Sequence, residues 1–129
     1  MNKLSFAVLA AAILSSGSAY ARKQPVPEAK PIGKAVDCIP INQIVESRVR
    51  SDSIIDFRVG GKKWYRNTLP HSCPSLGFEE RFSYRTSLSQ LCAVDTIAVL
   101  QTYGGTLHEG AHCGLGKFQP VELLKPPRK

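Results

Sequence analysis

No two cysteines of this 129-residue chain stand close together. Cys38, Cys73, Cys92 and Cys113 form no C-x-x-C, the spacing that lets two thiolates reach one metal or each other. No apolar run after Ala21 approaches the ~20 residues that a membrane-spanning helix needs. The middle of the chain has no basic excess: residues 35–124 hold nine Lys or Arg and nine Asp or Glu. Redox motifs, zinc ribbons, further membrane spans and a nucleic-acid surface all lose support on these counts. There is no internal repeat and no composition shift that would mark a second domain.

What is present begins at the N-terminus. Lys3 is followed by the apolar run Leu4 to Leu14, then by Ser15 to Ser18 and the small-x-small triplet Ala19-Tyr20-Ala21. That order predicts a cleaved signal peptide over residues 1–21 and a mature chain starting at Arg22, periplasmic or secreted. Of the formal net charge of +7, one unit is Lys3 and the rest resides in the two ends of the mature chain. Residues 22–36 carry Arg22, Lys23, Lys30 and Lys34 with Pro25, Pro27 and Pro31, and read as a flexible basic segment. Residues 125–129 read as a basic tail. Residues 37–124 are left as one domain of about 90 residues, a size at which exported proteins often add disulfides.

The strand signals are short and spaced by turns. Ile54 to Val59 puts Ile55, Phe57 and Val59 on one face, and Lys62 to Asn67 returns after Gly60-Gly61. A three-residue loop sets Asp56 opposite Arg66 and Phe57 opposite Tyr65. A two-residue loop would oppose Arg58 to Lys63, so the first register is preferred. Arg81 to Thr86 alternates with Phe82 and Tyr84 inward. Val94 to Gln101 is apolar on both faces and predicts a central strand. Lys117 to Leu124 predicts an edge strand because of Pro120. Asp37 to Val45 holds a helical turn after Pro40. The fold class is mainly β, a small antiparallel barrel or sandwich with at most a short helix, held by two disulfides. The expected pairing is Cys38 with Cys113, which ties the chain ends, and Cys73 with Cys92, which meet across Arg81–Thr86. A bond from Cys92 to Cys113 is disfavoured, since residues preceding the two strands of a hairpin lie at its opposite ends.

His108, Glu109 and His112 spell H-E-x-x-H, the zinc-protease signature. In that site a helix sets both histidines on one face and the glutamate polarises the zinc-bound water. Here Gly104, Gly105, Gly110, Gly114 and Gly116 oppose a helix, at roughly 1 kcal/mol per interior glycine. The stretch reads as a glycine-rich loop between the last two strands, so no catalytic or metal-ligating residue and no cofactor is assigned. His71 beside Ser72 makes no triad by adjacency alone. Asp95 reads as a turn or strand-end cap. Trp64, Tyr65 and Arg66 are the candidate partner-binding patch.

The segments DCIPINQI, IIDFRVGGKKWYRNTLPHSCPSL, FSYRTSLSQLCAVDTIAVL and AHCGLGKFQPV, with the four cysteines, resemble a family of small secreted proteobacterial proteins known only as a domain of unknown function. The Y-x-N-x-L-x-x-x-C-P-x-L stretch from Tyr65 and the L-C-x-x-D from Leu91 carry the likeness, which spans residues 37–121. It implies a Gram-negative envelope location and no activity, substrate or cofactor. The function expected is a non-catalytic, monomeric envelope module that binds a protein or a glycan. The alternatives are a metal-dependent hydrolase using His108, Glu109 and His112, and an inhibitor of a lysozyme or protease. A neutral core argues against a lysozyme target, because lysozymes are basic and select acidic partners.

Overall fold

The computed structural model describes residues 25–86 and 88–125. The expected signal peptide, residues 22–24 and most of the C-terminal basic tail lie outside them. The strands are β1 (Ala29–Pro31), β2 (Cys38–Pro40), β3 (Ile44–Val49), β4 (Ile54–Val59), β5 (Lys63–Thr68), β6 (Phe82–Tyr84), β7 (Gln90–Cys92), β8 (Thr96–Tyr103), β9 (Thr106–Gly114) and β10 (Phe118–Leu123). One helical turn, α1, spans Leu76–Glu79, and a 3-10 turn spans Ile41–Gln43, directly after Pro40 as the sequence predicts. A five-stranded sheet has the order β1-β10-β5-β4-β3; a two-stranded ladder joins β2 to β7; a three-stranded sheet has the order β6-β8-β9. Every pairing is antiparallel.

The β4–β5 hairpin has the expected register, with Asp56 opposite Arg66 and Phe57 opposite Tyr65. Alternation along β4 buries Ile55, Phe57 and Val59 and turns Asp56 and Arg58 to the other face. Likewise, β8 is central and sends Ile97 and Val99 into the same core. The rings of Phe57, Phe82 and Phe118 meet edge to face, with Phe57 centroids 6.1 Å and 5.6 Å from its neighbours. The two larger sheets therefore share one core, closed at the side by Ile39 and Leu91 of the short ladder.

Three sequence expectations are corrected. First, the glycine-rich loop over 104–116 is largely strand β9. Gly104 and Gly105, at φ 56° and 79°, form the tight turn that returns the chain from β8. Second, the flexible segment 22–36 contains β1, and beyond it Ile32 donates to the Pro120 carbonyl while Val36 bridges Phe118. Pairing with β10 satisfies backbone groups that would otherwise line an open sheet edge. Third, β10 is consequently no edge strand. Within a strand the N–H and C=O of one residue point the same way, and the Pro120 carbonyl faces Ile32. The missing N–H thus faces the end of β1, where it interrupts little, and the ladder to β5 stays whole.

The disulfides are corrected as well: Cys38 bonds Cys92 and Cys73 bonds Cys113. Cys38 and Cys92 stand directly opposite each other in the β2–β7 ladder. Cys113 lies inside β9 opposite Ile97, on the core face. There it meets Cys73, which is fully buried in the loop after β5.

Candidate functional site

The H-E-x-x-H residues sit on a strand with an irregularity. Ala98 pairs with His112 and Leu100 with Glu109, so Gly110 and Ala111 together oppose Val99. This β-bulge reverses the alternation of β9. Glu109 and His112 consequently share the outer face of the three-stranded sheet, with Thr96 and Ala98 of β8 and Ser83 of β6. His108 pairs with Gln101 on the other face, its ring 5.9 Å from Tyr103. The zinc-protease arrangement, two histidines on one helical face, is not formed. Among the described residues, no three His, Cys, Asp or Glu side chains gather around one point.

The face that holds Glu109 is a shallow groove of about 170 Å³, lined by Ser83, Tyr84, Arg85, Thr96, Ala98, Glu109 and His112. Ser83 Oγ donates to Glu109 Oε1 at 3.4 Å, and Arg85 Nη2 approaches the same oxygen at 3.7 Å. His112 Nε2 lies 3.7 Å from the other oxygen, Oε2. Ser83 and Arg85 were not picked out from the sequence. Their only signal is period-two alternation with Phe82 and Tyr84 inward, which leaves them facing out.

The patch of Trp64, Tyr65 and Arg66 divides between two faces. Tyr65 packs against the core, with Lys63 Nζ 5.6 Å from its ring centre. Arg66 is half-buried and engaged, donating to both oxygens of Asp56 and to the Pro27 carbonyl. Trp64, the chain's one tryptophan, opens onto a second groove of about 290 Å³ with Ile32, Lys62, Val121, Glu122 and Leu123. Of the three, Trp64 is the one that lines this open groove.

Farther across this outer face, Arg58 Nε donates to Glu46 at 2.9 Å and Arg48 Nε at 3.2 Å. The hydrogen bond from Arg58, then that from Arg48, holds the Glu46 carboxyl below its usual range. A depressed folded-state value stabilises the fold above the unfolded value, and the gain is lost as the pH falls through the folded one. Wild type should therefore have a higher urea midpoint than Glu46→Gln at pH 6. The gap should start to close near the ordinary glutamate value of about 4.3 and vanish below the depressed one. A gap independent of pH would reject the assignment.

Asp95 is a cap, as the sequence reading has it: Oδ2 accepts from the Cys92 N–H at 2.7 Å, and the Asp95 N–H returns to the Cys92 carbonyl. His71 and Ser72 are both exposed. Sequence reasoning also missed Asn67, fully buried, whose amide pairs with both backbone groups of Gly116 at 2.7 and 2.8 Å. A Cβ at Gly116 would run into the Thr68 carbonyl oxygen, so only glycine fits this contact.

Comparison with protein-family models, curated proteins and solved structures gives no match for this chain.

Proposed function

We propose that the mature chain is a non-catalytic binding module of the Gram-negative envelope, periplasmic or secreted, that contacts a protein or a glycan through Trp64. The observation that carries this reading is the placement of the one tryptophan. It lies on the outer face of the five-stranded sheet, in an open groove with aliphatic Ile32, Val121 and Leu123 and with Lys62 and Glu122. Large aromatic side chains in such settings are the usual energetic anchors of interfaces, because they bury much area at little entropic cost. The location is supported by the signal-like N-terminus, by two disulfides that suit an oxidising compartment, and by the resemblance of residues 37–121 to small secreted proteins. No helix among the described residues is long and apolar enough to cross a membrane.

The test is capture from periplasmic extract, with the wild-type chain and Trp64→Ala compared side by side. Wild type should retain a component that the variant loses, and the variant's urea midpoint should show that it remains folded. The reading fails if both chains retain the same components. Truncating a hot-spot aromatic costs about 2 kcal/mol or more, a roughly thirtyfold loss of affinity.

A further inference from the structure

We infer that Glu109 and His112 form a two-ligand site for a divalent transition-metal ion, of which zinc is the probe. This goes beyond the binding role assigned to Trp64 and uses a different face of the molecule. The observation is the division of labour between the two oxygens of Glu109. Oε1 accepts from Ser83 and faces Arg85, whereas Oε2 faces Nε2 of His112 across 3.7 Å. That gap is too long for a hydrogen bond. Zinc–nitrogen and zinc–oxygen bonds are about 2.0 to 2.2 Å long, so an ion bonded to both atoms across this gap subtends about 120°, slightly wider than tetrahedral.

The surroundings suit such an ion in other respects. Ser83 makes a long contact, 3.4 Å, to the oxygen that the metal does not need, the place where outer hydrogen-bond partners stand around metal ligands. The bulge at Gly110 and Ala111 brings Glu109 and His112 to one face. A regular strand would send residues three apart to opposite faces. Both side chains are exposed, so an ion can enter from solvent without rearrangement. Two protein ligands leave two tetrahedral positions for water, or for a carboxylate or imidazole brought by another molecule. Arg85 opposes the ion by charge, so the site binds moderately and not in the manner of a buried structural zinc.

The assignment separates the two histidines of H-E-x-x-H. His112 binds and His108, on the opposite face, does not. Untagged mature protein is titrated with zinc, following backbone amide shifts by NMR and affinity by calorimetry. Shifts should centre on Glu109, His112 and Ser83. His112→Ala and Glu109→Gln should each weaken zinc by about tenfold or more, a cost as large as that of losing a good outer partner. His108→Ala should leave the affinity unchanged. Arg85→Ala should tighten zinc severalfold, because a neighbouring positive charge is gone; an anion site would respond in the opposite sense. The inference is overturned if zinc perturbs no signal near Glu109, if His112→Ala binds as wild type does, or if His108→Ala loses as much as His112→Ala. Loss of binding on removing Arg85 would overturn it too.

Discussion

Reducing both disulfides is expected to unfold the domain, or nearly so, at moderate temperature. In the chain-entropy account, a bond closing the 54-residue separation of Cys38 and Cys92 stabilises by about 4 kcal/mol. The 40-residue separation of Cys73 and Cys113 gives a similar figure of about 4 kcal/mol. The two loops interlock along the chain, so the figures do not simply add, and strain or residual denatured structure lowers each. Either one is still comparable with the 5–15 kcal/mol that holds a typical domain together. For a domain of this size, about 4 kcal/mol corresponds to a fall of roughly 15–30 °C in Tm. Thermal melts followed by far-UV circular dichroism, with and without a phosphine reductant, measure it. A reduced protein melting within a few degrees of the oxidised one would contradict the expectation.

The two bonds should not be equal. Entropy alone ranks Cys38–Cys92 slightly ahead, because its loop is longer. Packing reverses the order. Cys73 is fully buried among Leu69, Leu76 and the rest of the core, and its partner anchors β9, whose other edge is open. Replacing Cys73 and Cys113 by alanine removes both the cross-link and buried volume. Each bond joins one buried to one half-buried cysteine, but Cys92 keeps 9% exposure where Cys73 has none, and the Cys38–Cys92 ladder is three residues long. The Cys73/Cys113 double variant should therefore melt lower than the Cys38/Cys92 one.

The strand pairs that are strongly patterned were legible in the sequence, and the pairing of cysteines was not, for a common reason. Residues 54–59 and 62–67 carry alternation, a glycine turn and a charge constraint, and together these fix one register. Ile97 to Leu100 announces a central strand by its unbroken apolar run, although the strand begins at Thr96 and not at Val94, which is 90% exposed. Strand β9 offers none of these marks: Thr106–Gly114 has two polar faces, two internal or terminal glycines and little β-branched content. Its one clear signal was Gly104-Gly105, the same dipeptide type that was decisive at Gly60-Gly61. Once β9 is missed, Cys113 is placed at the foot of the last strand instead of inside a hairpin, and the pairing with Cys73 becomes invisible. The three-residue strands β2 and β7, which hold the other bond, are set by tertiary packing of Ile39 and Leu91 and not by local pattern. The candidate site suffers from the same gap. Glu109 and His112 converge through a bulge, which no count of spacing reveals.

Removing the Asp56 carboxylate should be among the most damaging single substitutions away from the disulfides. Asp56 is fully buried on the face of β4 opposite the main core. It receives Arg66 in a two-pronged contact, Nε at 2.8 Å and Nη2 at 2.9 Å, and Arg50 Nε at 2.9 Å. Planar guanidinium and carboxylate groups match in such a fork, which makes it stronger than a point contact. The two arginines are themselves largely covered, with side-chain exposures of 16% and 15%. Asp56→Ala would leave two partly buried cations without their counter-charge. Breaking a buried ion pair from one side costs about 3–5 kcal/mol, much of it the desolvation of the abandoned partner. Arg66 also holds the Pro27 carbonyl, so the loss should loosen the segment that leads into β1. Asp56→Asn keeps the shape and one acceptor and should cost less, about 1–3 kcal/mol. Replacing Arg50, Asp56 and Arg66 together by apolar residues of similar volume should cost less than Asp56→Ala alone, because no orphaned charge remains. Urea unfolding of the oxidised protein followed by Trp64 fluorescence measures all three, and Asp56→Asn serves as the readout should the alanine variant not fold. An unfolding free energy for Asp56→Ala within about 0.5 kcal/mol of wild type, the scatter of ordinary surface substitutions, would show that the triad does not fasten the turn after β3 to β4, β5 and the N-terminal segment.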